Sequence, residues 1–288
     1  MYFDMFTLDS IQRPVIKEVY VEDIFYSSVY PSSEMGLAYY QKLRQSYPEG
    51  NEGLKRFLQA YLACIAFVDD QVGEVMDALN NSTFKENTMV ILTSDHGWQM
   101  GEKDYLYKNS PWEESTRIPF IIRHPTLSIP GSEVKHPVSL IDIFPTLTDI
   151  CNLKGSITKD GTVASIDGYS LKPFLKNPET TAWKGPNGVV TVVGAGINHP
   201  IEGVGFNSNP GALWHIEITA DLDASYVLLQ NYSYRTKDWR YIHYRNGKEE
   251  LYNHTNDSYE WTNLSENEKY SEIKAQLKSE MMHLIQSN

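Results

Sequence analysis

Apolar residues recur at spacings of three and four between Gly53 and Leu79: Leu54, Phe57, Leu58, Tyr61, Leu62, Ile65, Val68, Val72, Val75, Met76 and Leu79. That period predicts one long amphipathic helix. Asp69 and Asp70 fall inside it. Neighbours on a helix point about 100° apart, so the pair reads as part of a solvated face. Thr88–Thr93 and Ile118–Ile122 are compact, unalternating apolar runs, the pattern of strands covered on both faces. Ser139–Leu153 predicts a further helix, with Ser139 as cap and Asp142 at the capping-box position; Pro145 inside it should kink or restart it. Residues 1–50, punctuated by Pro14, Pro31 and Pro48, carry no comparable period and predict irregular chain. Helix alternating with buried strand predicts an α/β fold built on a mostly parallel sheet with flanking helices.

From about Gly188 the pattern changes. Val189–Val193, Tyr226–Tyr234, Trp239–Arg245 and Glu249–Tyr252 are short and strand-like, and Asn246-Gly247 between two of them is a strong hairpin signal. Residues 265–286 read as a polar helix with Ile273, Leu277, Met281 and Leu284 on one side. Two parts are therefore expected: 1–187, an α/β portion, and 188–288, a small antiparallel sheet with a C-terminal helix.

Composition narrows the functional classes. The chain has 288 residues, 41% hydrophobic and 22% charged, which is ordinary for a globular protein. Its net charge of −12 and lack of a basic stripe speak against nucleic acid. No apolar run reaches the roughly 18–20 residues of a membrane span, and the N-terminus has neither a basic n-region nor an apolar h-region. The two cysteines, Cys64 and Cys151, are expected as buried thiols rather than as a disulfide framework. The 19 tyrosines suit sugar stacking and half-buried strands alike.

The chemistry concentrates after the first predicted strand. Asp95 and His96 follow it directly, where open α/β sheets bind ligands. A carboxylate and an imidazole there can share a metal ion, or can cap the next turn through backbone bonds. Gly97 lets the backbone turn sharply and Gly101 adds a second flexible point. Lys108, thirteen residues after Asp95, either neutralises an anionic substrate group or is a solvated surface lysine.

These residues, in order, resemble a segment of the sulfatase family of the alkaline phosphatase superfamily: Ser94-Asp95-His96-Gly97, Gly101-Glu102-Lys103, Lys108, Glu113-Glu114 and Arg117-Ile118-Pro119. The resemblance extends over residues 61–75, 138–147, the Asp167-Gly168-Tyr169-Ser170-Leu171 turn, 234–241, Glu250–Asn253, Asn256-Asp257 and Trp261–Leu264. It comes nearest to iduronate-2-sulfatase-like bacterial enzymes. It implies sulfuric ester hydrolysis on a sulfated carbohydrate such as a glycosaminoglycan-like chain. Asp95 and His96 match ligands of a divalent ion, calcium in the sulfatase pattern, manganese or zinc if the chemistry is of phosphatase type. Lys108 matches the lysine that contacts the sulfate and stabilises the leaving oxygen. Trp98 and Lys103 are expected to shape the substrate pocket by position. The family's nucleophile, a Cys or Ser oxidised to formylglycine within a Cys/Ser-x-Pro/Ala-x-Arg motif, fits neither Cys64 nor Cys151. The resemblance therefore implies the C-terminal half of such an enzyme, doubtful in activity alone, with formylglycine in a preceding half that could be a separate chain. It also implies a periplasmic, secreted or lysosomal setting. Two alternatives stand beside it: a phosphate or phosphonate ester hydrolase of the same superfamily, and a non-catalytic module binding glycans or a partner.

Overall fold

In this computed structural model the described residues are 2–17, 24–30, 32, 34–49, 51–154, 158–159, 162–163, 166–193 and 230–286. They form two compact units.

The first unit comprises Met1–Val21, Ser32–Lys108 and Glu113–Val189. Its first helix, α1 (Met35–Gln45), lies in chain expected to be irregular. Glu34 caps it, its carboxylate accepting from the Gly36 and Leu37 amides at 2.9 and 3.2 Å. Pro31 and Pro48 thus bracket a helix rather than exclude one. Helix α2 (Glu52–Asn80) follows the predicted period. Leu54 and Leu58 pack with Ile11, Tyr40, Met100 and Leu106 into one core. From Cys64 onward no residue of α2 is buried, so the same apolar stripe that anchors its first half lies bare along its second. Both cysteines are exposed free thiols, contrary to expectation: Cys64 sits on the bare half of α2 and Cys151 at the end of a later helix.

Strand β1 (Val90–Thr93) pairs with β4 (Phe120–Arg123), Thr93 opposite Phe120, and the pairing is antiparallel. The mostly parallel sheet expected here is therefore not what the described residues form. Between the two strands run β2 (Gln99–Met100), β3 (Leu106–Tyr107) and α3 (Glu113–Thr116). Parallel neighbours need a crossover of a dozen or more residues, usually a helix; a four-residue helix after a small hairpin returns the chain in the opposite sense. The predicted helix at 139–153 opens as a 3-10 turn, Leu140–Asp142, carrying the expected capping box, and continues as α4 (Ile143–Ile150). Pro145 falls in the first turn of α4, just after the change from 3-10 to α geometry, so the helix restarts beside it as one of the two expected outcomes. A short hairpin, β5 (Thr158–Lys159) with β6 (Thr162–Val163), and helix α5 (Lys172–Lys176) complete the unit.

The second unit comprises Glu22–Pro31, Asn109–Trp112 and Val190–Asn288. Its sheet runs in the order β10-β9-β8-β7, with β7 (Gly188–Val193), β8 (Asn231–Thr236), β9 (Trp239–His243) and β10 (Glu249–Asn253). Both β8–β9 and β9–β10 are antiparallel. The strand expected over Tyr226–Tyr234 begins at Asn231; residues 226–229 lie outside the described residues. Gly247 takes the left-handed conformation, φ 83°, that the β9–β10 turn requires. One sheet face, Tyr232, Tyr234, Tyr241 and Leu251, buries against Leu277 and Met281 of helix α6 (Ser271–Gln286). The other face is polar yet buried. Glu250 accepts from the Phe25 amide, Trp112 Nε1 and the hydroxyls of Tyr244 and Tyr252 at 2.6–3.0 Å. Arg240 reaches Glu260, the Pro111 carbonyl and Ser233. Buried polar groups need such partners to avoid the full cost of desolvation.

Candidate active site

The end of β1 delivers Asp95 and His96, and the β2–β3 hairpin returns the chain to them at Lys108. Gly97 makes the approach possible. A Cβ there would stand 2.1 Å from the Glu114 carbonyl oxygen and 2.5 Å from that of Arg117. With no side chain in the way, the Gly97 and Trp98 amides donate to the carbonyls of Ser115 and Glu114 at 2.9 and 2.6 Å. The hairpin itself is bent hard. Gly101 has φ 108°, and three residues with side chains follow at positive φ: Lys103 at 59°, Asp104 at 54° and Tyr107 at 95°. An aromatic residue at φ 95° is strained by the clash of Cβ with its own backbone, and it sits immediately before Lys108. Burial raises the carboxyl pKa of Asp104, opposed by Arg44. Burial likewise raises that of Glu102, although its carboxylate accepts from the Met100 amide.

Lys108 Nζ lies 2.9 Å from His96 Nε2. His96 Nδ1 lies 2.8 Å from the Gly97 carbonyl oxygen. A lysine ammonium has only donors and a carbonyl only accepts. The two contacts together put the imidazole proton on Nδ1 and leave the Nε2 lone pair facing Lys108. Asp95 Oδ1 stands 3.5 Å from the same Nε2, its side chain 83% exposed. Trp98 packs beside them, its ring centroid 6.2 Å from that of His96, 4.9 Å from Tyr107 and 6.0 Å from Tyr61. Lys103 is buried at 2% exposure within the hairpin. Asp95, His96 and Lys108 thus converge, Trp98 flanks them, and Lys103 is turned inward. Neither the strained Tyr107 nor Tyr61 in the same aromatic cluster carries a sequence signal of its own; each reads as an ordinary half-buried tyrosine.

Two donor atoms each roughly 2.1–2.4 Å from one divalent ion, at about 90–110° to each other, stand about 3–4 Å apart. The 3.5 Å between Asp95 Oδ1 and His96 Nε2 fits that spacing. The Nδ1 bond to a backbone carbonyl is the outer contact that orients a metal-binding imidazole. Two donors at this spacing are able to share one ion, with further ligands needed to complete a shell.

The family model for sulfatases matches residues 2–153. A sulfatase of Formosa agariphila is 29% identical over 276 residues, covering 95% of this chain and 44% of that protein. An N-acetylglucosamine-6-O-sulfatase of Bacteroides thetaiotaomicron is 25% identical over 236 residues, covering 81% of this chain and 35% of that one. Among solved structures, a phosphonate monoester hydrolase from Silicibacter pomeroyi superposes over 100% of this chain and 52% of its own, with a TM-score of 0.72 at 19% identity. The fold is therefore the mixed α/β scaffold that this hydrolase shares. Within it, this chain belongs to the sulfatase family. It spans less than half the length of the curated relatives it matches. Among the described residues no helix is long and apolar enough to cross a membrane.

Proposed function

We propose that this chain supplies the cation-binding and oxyanion-binding side of a sulfuric ester hydrolase acting on a sulfated sugar. Family membership supports the reaction class, and the relative that acts on N-acetylglucosamine 6-sulfate supports an amino-sugar substrate. The observation that carries the assignment of roles is the 2.9 Å approach of Lys108 to His96 beside Asp95. Asp95 and His96 hold a divalent cation, calcium first, with manganese or zinc the choice if imidazole preference decides. When bound, that ion supplies Lewis-acid polarisation of an ester oxygen. Lys108 places positive charge where the leaving oxygen gains negative charge, the most effective place for it. Trp98 offers an apolar wall for a sugar ring. A contact from Lys103 requires the hairpin turn to open, so Lys108 and Trp98 carry substrate binding here.

The remaining half of the site, including a formylglycine nucleophile, belongs to polypeptide beyond these 288 residues, in the same chain or as a separate one. The bare half of α2 supports this, with Ile65, Val68 and Val75 exposed. So does the two-stranded β1–β4 sheet, where Leu92 and Ile121 lie open. Apolar surface on this scale is normally covered, and further parallel strands alongside β1 or β4 would cover it. A periplasmic, secreted or lysosomal setting goes with this function.

The fold likeness to a phosphonate monoester hydrolase favours one alternative, hydrolysis of phosphate or phosphonate esters. Turnover of aryl sulfate, aryl phosphate and aryl phosphonate by the completed domain separates the two. Sulfate is expected to be the preferred ester; preference for phosphonate, or no ester hydrolysis at all, would replace the proposal by the second reading or by a non-catalytic glycan-binding module.

A further inference from the structure

Lys108 Nζ and a divalent cation compete for one lone pair. His96 offers only Nε2 toward Asp95, because Nδ1 is tied to the Gly97 carbonyl. In this chain that lone pair accepts from Lys108 at 2.9 Å. A hydrogen bond and a metal bond cannot both use it. We propose that Lys108 is a placeholder for the cation: without metal its ammonium holds His96 in the ligating orientation, and metal binding expels it toward the anionic substrate. This inference rests on Asp95 and His96 being ligands.

Several features of the site support the exchange. The Nζ–H···Nε2 hydrogen bond breaks as the metal–nitrogen bond forms, both at the same ring atom. The ring needs no reorientation, because its Nδ1 bond to Gly97 and its packing beside Trp98 are unaffected by the exchange. Lys108 is exposed and ends a flexible four-carbon stem, so it can swing without disturbing the core. The consequence is coupling. The charge that stabilises the sulfate oxyanion is sequestered until the cation is in place, so an unloaded site presents a lysine occupied by a histidine rather than a free oxyanion contact.

Manganese serves as the probe because its binding is read directly from water-proton relaxation, down to weak sites on the order of 1 mM. The completed domain and three variants of it are titrated: Lys108→Met, Lys108→Arg and Asp95→Ala. Thermal unfolding of each checks that it is folded. Lys108→Met, which keeps the stem and removes the donor, should bind manganese several-fold more tightly than the parent chain. Lys108→Arg, which keeps charge and donors, should not gain, and Asp95→Ala should bind more weakly. A crystal structure with manganese should show metal at His96 Nε2 and Lys108 Nζ withdrawn from it. Binding that Asp95→Ala weakens but Lys108→Met leaves unchanged or lowers would overturn the placeholder alone. So would a loaded structure with the 2.9 Å contact intact. Absence of manganese binding in the parent chain and in Lys108→Met would overturn the ligand assignment, and the placeholder with it.

Discussion

At the level of single residues, the geometry around His96 depends on a glycine more than on any polar group. Gly97 lets two backbone amides reach the carbonyls of α3, and a methyl group in its place meets a carbonyl oxygen at 2.1 Å. The obstructing atoms are backbone, which cannot rotate away as a side-chain tip can. Gly97→Ala should therefore cost about 1–3 kcal/mol, the range for overpacking, and displace His96 from Lys108. Thermal denaturation and a crystal structure of the variant check this; an unchanged melting temperature with His96 in place would contradict it. The sequence showed that a glycine was needed after His96 but attributed it to a sharp turn. The actual cause, close approach of residues 114 and 117, lies seventeen to twenty positions downstream and leaves no local signature. The strain at Tyr107 was likewise invisible, since nothing in a residue's identity announces that tertiary packing will hold it at φ 95°.

Among the elements, those with sequence period and capping chemistry were legible, and those defined by their neighbours were not. Helix α2, the 139–150 capping box, the hairpin at Gly247 and helix α6 follow from local pattern. Helix α1 was missed because its capping residue is a glutamate and its apolar stripe is short. The antiparallel pairing of β1 with β4 was missed because buried strands of either sense read alike, and only the connection between them decides direction. The sheet-on-helix packing of the second unit carries its own test. Burial alone would raise the pKa of Glu249, but hydrogen bonds from Lys278, Tyr241 and Lys274 outweigh it and lower it from 4.5 to about 2. A carboxylate held below its unfolded value stabilises the fold fully above pH 4.5, and that stability is lost as pH falls toward 2. The contribution is on the order of 2–3 kcal/mol. Melting temperature should fall steeply below pH 4.5 in the parent chain and less steeply in Glu249→Gln. Equal slopes would remove Glu249 as the source.

On the scale of the whole molecule, a sulfatase-family chain brings Asp95, His96 and Lys108 to one corner of an α/β unit whose apolar stripe and strand pair stand partly bare. The position of the corner could be read in the sequence because its residues follow a strand end in a fixed order. Which apolar surface stands bare could not, because that depends on tertiary packing rather than on local pattern. The role proposed for Lys108 is to bear charge during sulfate ester cleavage. The most direct measurement is turnover of an aryl sulfate by the completed domain with and without Lys108→Ala. A loss of about two orders of magnitude, the scale of removing one oxyanion-stabilising donor, is the predicted result; turnover equal to that of the parent would contradict it.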